Sequence, residues 1–124
     1  MRCMRERGWP LAVRDMLEAC ERCLNYTSGM DRAAFLGDRR TYDATIRNIE
    51  IVGEAANNVP RPVQEAHGGI PWRGIIDTRN RIIHGYGVID DEAVWEIVTR
   101  DIPDLIPQLR ELLRQGGEDA SQGP

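Results

Sequence analysis

Apolar residues recur along this chain of 124 residues at steps of three and four, the repeat that lines one face of an α-helix. Leu11, Val13, Met16, Leu17, Cys20 and Leu24 follow it and predict a first helix from about Pro10 to Asn25. Pro10 then sits in the first turn, where its missing N–H costs nothing. Ser28, Gly29, Met30 and Asp31 break the pattern, and Asp31 is a natural N-cap for a short turn through Phe35. A second long helix is expected from about Asp38 to Asn58, with the seam Tyr42, Ile46, Ile49, Gly53 and Ala56. Glycine inside a helix costs about 1 kcal/mol relative to alanine, so Gly53 predicts a close approach by another element. Beside that seam Asp43, Arg47, Glu50 and Glu54 form a polar row at the same spacing. Its plainest reading is a solvated face with internal ion pairs.

Pro60, Arg61 and Pro62 end this helix, and a short segment to His67 follows. A third helix is expected from near Pro71 to near His84, where Gly85 and Gly87 are natural stops. Asp90 and Asp91 then open a last helix carrying Val94, Ile97, Val98, Ile102, Leu105, Leu109 and Leu112. Pro103 and Pro107 within it predict a kink or a restart. Beyond Arg114 the chain is rich in Gly, Ser, Gln and acids. No segment alternates with the two-residue period of a strand. The expectation is an all-α, up-and-down bundle of four to five helices over residues 1–114, with a disordered acidic tail over 115–124.

Composition narrows the chemistry. All sixteen basic residues are arginines, which excludes a lysine-bearing phosphate loop, a Schiff base and any lysine nucleophile. The net charge is −4, unpromising for a protein that grips long nucleic acid by bulk charge. The acids concentrate from Asp90 onward, however, leaving the first part of the chain mildly basic. An RNA ligand would have to be engaged at a local site. Cys3, Cys20 and Cys23 offer half of a metal knuckle with no second pair, so Cys20 and Cys23 read as small core residues and no metal is expected. No cofactor is expected either. No run approaches the length of a membrane span, and the basic start leads into Glu6, Arg7 and Gly8, unlike a secretory signal; a cytoplasmic location is expected. Trp72 and Trp95 read as core or interface anchors, and His67 as a surface residue at a helix end.

The stretch IPWRGIIDTRNRIIHGYG, Ile70 to Gly87, stands apart. If its helix is continuous, Trp72, Ile75, Ile76, Ile82 and Ile83 form one apolar stripe with Arg79 at the centre. A guanidinium there would need compensation by Glu50 and Glu54, by a subunit interface, or by a phosphate. His84 would lie about 140° around from Arg79 on a rigid helix. Gly85 lets the helix end, so His84 could swing back, or could simply complement the helix C-terminus.

RNRIIHGY, Arg79 to Tyr86, resembles the Arg-Xaa4-6-His motif of the HEPN superfamily, in the narrower Arg-Asn-Xaa3-His-Xaa-Tyr form of HepT-like toxins. DRRTYDATIRNIEIVGEAAN (Asp38 to Asn57), PWRGII (Pro71 to Ile76) and DDEAVWEIV (Asp90 to Val98) extend the likeness, which runs from about Arg14 to Leu113. The resemblance implies a helical ribonuclease that needs no metal, with Arg79 and His84 as the catalytic pair and Asn80 orienting them. It implies a homodimer in which two motifs share one cleft. It further implies a toxin of a toxin–antitoxin system of type VII, whose partner, a minimal nucleotidyltransferase of the MntA kind, attaches AMP to Tyr86. Glu54, Glu50 and Arg47 are candidates to support the site.

The residue types suit that chemistry. A histidine titrating near neutrality can take the 2′-OH proton or protonate the leaving 5′-oxygen. An arginine holds two phosphate oxygens at once with a permanent charge. One chain has one histidine in this segment while the reaction uses a base and an acid, which a two-fold dimer would supply. Two other readings remain: a catalytically inactive HEPN subunit that binds RNA or nucleotide within a nucleotidyltransferase complex, and a structural helical dimer in which Arg79 pairs with Glu50 or Glu54.

Overall fold

The computed structural model describes residues 8–83 and 87–117, and within them the two long apolar seams become a packed helix pair. α1 (Trp9–Thr27) buries Val13, Met16, Cys20 and Cys23. A turn through Gly29, whose φ of +78° suits glycine, leads to α2 (Arg32–Gly37). The Asp31 carboxylate accepts from the Ala34 amide at 2.8 Å and caps it. α3 (Arg39–Asn57) buries Tyr42, Ile49, Val52 and Ala56. Its cap is Asp38, which accepts from the Thr41 amide at 3.1 Å and the Thr41 hydroxyl at 2.9 Å. Those bonds to the charged form hold the Asp38 carboxyl below its ordinary value. α1 and α3 share the most extensive helix–helix contact of the fold.

α4 (Arg61–Ala66) follows Pro60. The expected single helix from Pro71 to His84 is instead two short ones, α5 (Trp72–Ile76) and α6 (Thr78–Ile82), interrupted at Asp77. The chemistry of the break is local. The Thr78 hydroxyl donates to the carbonyls of Gly74 and Ile75, at 3.1 and 2.6 Å, competing with the amides that would continue the helix. α3 meets this junction at Gly53, where a Cβ would lie 3.1 Å from the Ile75 carbonyl oxygen. The close approach expected of that glycine is therefore real.

α7 (Asp91–Glu96) is capped by Asp90, whose carboxylate accepts from the Ala93 amide at 3.1 Å. It runs through a π-helical stretch, Ile97–Asp101, into α8 (Ile102–Leu112). This is the predicted restart: Pro103 has no N–H for the carbonyl four residues back, and the Ile102 amide reaches Ile97 instead, five residues back. Pro107 is accommodated inside α8. A second π-helical turn, Leu113–Gly117, carries helical structure beyond Arg114. α8 lies against α1 and buries Ile102, Leu105, Leu109 and Leu112.

The core is aliphatic with an aromatic end, where the Phe35 ring sits 5.3 Å from Tyr42 and 5.4 Å from Trp95. Cys20 and Cys23 are fully buried and unpaired, and burial pushes both thiols up to about 12. Among the described residues no secondary structure beyond one isolated bridge is extended. The architecture is the expected all-α bundle. No described helix is long and apolar enough to cross a membrane.

Candidate functional site

α6 carries the first half of the motif. Its buried residues are Thr78 and Ile82, one turn apart, and these orient the short helix toward the core. Arg79 and Asn80 face outward and are exposed. The placement of Arg79 at the centre of an apolar stripe is therefore corrected. That placement assumed one unbroken helix, and the interruption at Asp77 separates the stripe of α5 from the face of α6. Arg79 carries no burial cost that a neighbouring carboxylate must offset.

The supporting residues divide accordingly. Arg47 lies 3.6 Å from both Glu50 and Glu54, so three of the four charges in the polar row of α3 pair with one another. Arg79 has no ion-pair partner among the described residues. Arg81 differs sharply: it lies 2.5 Å from Asp101 and 4.0 Å from Glu96. The Asn80 amide donates to the Asp77 carboxylate at 2.5 Å, which holds Asn80 beside Arg79. Cation and oriented amide thus stand together on one exposed turn, where a phosphate could approach.

His84 and Tyr86 lie outside the described residues. What flanks them is well defined. The Ile83 amide closes α6 on the Arg79 carbonyl at 3.1 Å, and Ile83 is extended. Ile83 and Ile89 form an antiparallel bridge. The Asp90 amide donates to the Ile82 carbonyl at 2.7 Å. Gly87 takes a φ of +75°, a conformation that favours glycine. The chain therefore leaves α6 and returns to its last turn within a few residues.

The return point is tied to α3. The phenol of Tyr42, 1% exposed, donates to the Asp91 carboxylate. Burial, then the Asp91 bond, raises the phenol above its ordinary value, so it stays protonated. The Arg39 guanidinium lies over the same ring, 4.3 Å from its centre. Arg32 of α2 pairs with Glu92.

Sequence patterns did not single out Asp77, Thr78, Tyr42 or Asp91 for these tasks. The first two leave a local signal, a polar pair interrupting an apolar stripe. Tyr42 and Asp91 are 49 positions apart, beyond the reach of any spacing rule.

A cleft of about 510 Å³ adjoins α6, lined by Thr78 and Arg81 with Ile49, Val52, Ile75 and Leu105 among others. Arg79 and Asn80 do not line it, so their surface is open in a single chain.

A family model described as ribonuclease HepT-like matches residues 16–112. The chain belongs to this HepT-like family. The match runs from α1 to the end of α8 and includes the whole motif segment. A protein of Methanocaldococcus jannaschii named "Putative RNase" is 34% identical over 85% of this chain and 88% of its own length. One from Thermococcus cleftensis named "Probable ribonuclease HepT" is 38% identical over 75% and 84%. Another "Putative RNase", from Caldanaerobacter subterraneus subsp. tengcongensis, is 32% identical over 81% and 89%. No solved structure matches the chain. The family resemblance read from RNRIIHGY is thereby established.

Proposed function

We propose that this HepT-like protein is an endoribonuclease that cleaves RNA without a metal, using Arg79 and His84 in a cleft shared by two copies of the chain. The observation that carries the reading is Arg79: exposed on the motif helix, beside an oriented Asn80, with no carboxylate partner among the described residues. A cation left available in this way suits phosphate. Family membership and the names of the relatives support RNA as the ligand.

In the proposed reaction, neutral His84 takes the proton of a 2′-OH. The freed oxygen attacks the adjacent phosphorus, and Arg79 stabilises the charge that builds on the phosphate oxygens. As the bond from phosphorus to the 5′-oxygen breaks, the imidazolium of His84 from the second copy gives that oxygen its proton. The openness of the Arg79 surface in one chain is consistent with a cleft that only dimerisation completes.

The protein would act in the cytoplasm as the toxin of a toxin–antitoxin pair. A minimal nucleotidyltransferase of the MntA kind would silence it by placing AMP on Tyr86. Two residues from His84, that group would bring negative charge and bulk to the phosphate site. Glu50 and Glu54 act at one remove, by holding Arg47 rather than Arg79.

The test is cleavage of RNA by purified, EDTA-treated protein, wild type beside His84→Ala, with folding followed by circular dichroism. Cleavage that survives EDTA and disappears in the folded variant is expected. If wild type confirmed by mass to lack AMP binds RNA without cutting it, the chain is a binding subunit and the ribonuclease reading falls.

A further inference from the structure

We infer that Tyr42 is a positioning residue for this site, acting through Asp91 to fix the α6–α7 junction that brackets His84. The inference rests on the ribonuclease reading above. Three described contacts converge on the junction. The Asp90 amide binds the last turn of α6 through the Ile82 carbonyl at 2.7 Å. Ile83 and Ile89 bridge across the segment. Asp91, the first residue of α7 and next to that amide, accepts from the Tyr42 phenol.

The first two contacts join α6 to α7, and Ile82, Val94 and Trp95 pack both against the core without a directional bond. Tyr42 adds a directed hydrogen bond from the core to the start of α7, because its ring is held in the aromatic end of the core. It is packed against Phe35, covered by Arg39, and carried on α3 with Ile49 and Gly53. Gly53 touches the other end of the motif segment at Ile75. One helix therefore registers both ends: Gly53 where α5 stops, and Tyr42 where α7 starts.

The chemistry suits a positioning role better than a merely stabilising one. Asp91 is exposed, so losing the phenol leaves its carboxylate to water at little cost. The ring and its neighbours remain in Tyr42→Phe. Fold stability should change little, while the junction loses its directed bond to α3. Misplacing a reacting group by a fraction of an ångström to 1 Å costs about 10- to 100-fold in rate.

The experiment compares wild type, Tyr42→Phe, Asp91→Ala, Asp91→Asn and His84→Ala under single-turnover cleavage. Affinity is measured separately on an RNA whose 2′-hydroxyl at the cut site is removed. Tyr42→Phe and Asp91→Ala are each expected to slow cleavage by about tenfold or more with affinity unchanged. The double variant should be no slower than either alone, because both remove one bond. Asp91→Asn, which can still accept from the phenol, should keep most of the rate. Amide exchange at Asp90 should quicken in Tyr42→Phe while amides of α1 and α8 stay protected. A folded Tyr42→Phe that cleaves at the wild-type rate overturns the inference and leaves the ribonuclease reading intact. So does a loss of rate that only tracks a fall in unfolding midpoint. If wild type and His84→Ala behave alike, the ribonuclease reading fails, and the positioning role falls with it.

Discussion

The α1–α3–α8 core and the segment from Ile70 to Asp90 are both helical and both rich in isoleucine or leucine, yet they are built on opposite principles. In the core, apolar residues repeat without interruption over several turns, the side-chain cap of α3 is local, and the large side chains on the inner faces are enclosed. In the motif segment, neither described helix exceeds five residues. Ile75, Ile76 and Ile83 are only half-buried, and beside the buried Thr78 and Ile82 a few polar contacts set the orientation: Thr78 to α5, Asn80 to Asp77, Arg81 to Asp101 and Glu96. The core repeats one interaction many times and tolerates no hole. The segment relies on a few directed contacts, each made by a different residue. On the proposed function, stability belongs to the first region and chemistry to the second, and substitutions should separate the two.

The sharpest break on the core side is Leu109→Ala. Leu109 is fully buried between α8 and α1, and emptying such a site costs about 2–5 kcal/mol. Urea unfolding should show that loss at an unchanged catalytic rate wherever the variant is folded. Gly53→Val tests the point where the regions touch. A side chain there must push the Ile75 carbonyl oxygen, which lies only 3.1 Å from where the new Cβ would stand. Overpacking of this kind costs about 1–3 kcal/mol, and it should also lower cleavage, since the junction it displaces carries Arg79. A third test is the effect of alkali on the core thiols. Cys20 and Cys23 hold their protons up to about 12 in the folded protein, against an ordinary 9.0. The unfolded chain releases them first, so their contribution is intact below pH 9 and is lost as pH rises toward 12. The loss is at most about 1.4 kcal/mol per pH unit for each thiol. Unfolding midpoints at neutral and at alkaline pH would show it, and Cys20→Ala should remove part of the slope.

The same contrast explains what the sequence disclosed. Repetition is legible: the faces of α1 and α3, the Asp31 cap and the restart at Pro103 follow from spacing and residue type alone, and a glycine inside the apolar seam announced the approach at Gly53. The caps are legible because capping is a matter of a few adjacent residues. The motif segment was legible as a family signature and illegible as geometry. A helical wheel presumes continuity, and one threonine hydroxyl taking two carbonyls was enough to end it at Asp77. Arg79 therefore moved from an imagined stripe to the surface. The bond from Tyr42 to Asp91 had no signal at all, since it joins helices that only tertiary packing brings together. The polar row of α3 left two readings open, a solvated face or support for Arg79, and Glu50 and Glu54 pair with Arg47.

The most direct measurement of the division is Arg79→Ala, assayed for RNA cleavage and for urea unfolding on the same EDTA-treated preparation. An exposed cation with no carboxylate partner among the described residues should leave stability within about 0.5 kcal/mol of wild type. If Arg79 steadies the transition state as proposed, its loss should slow cleavage by about 100- to 1,000-fold. A variant that unfolds more easily in proportion to its lost activity, or one that cleaves as wild type does, would contradict the account.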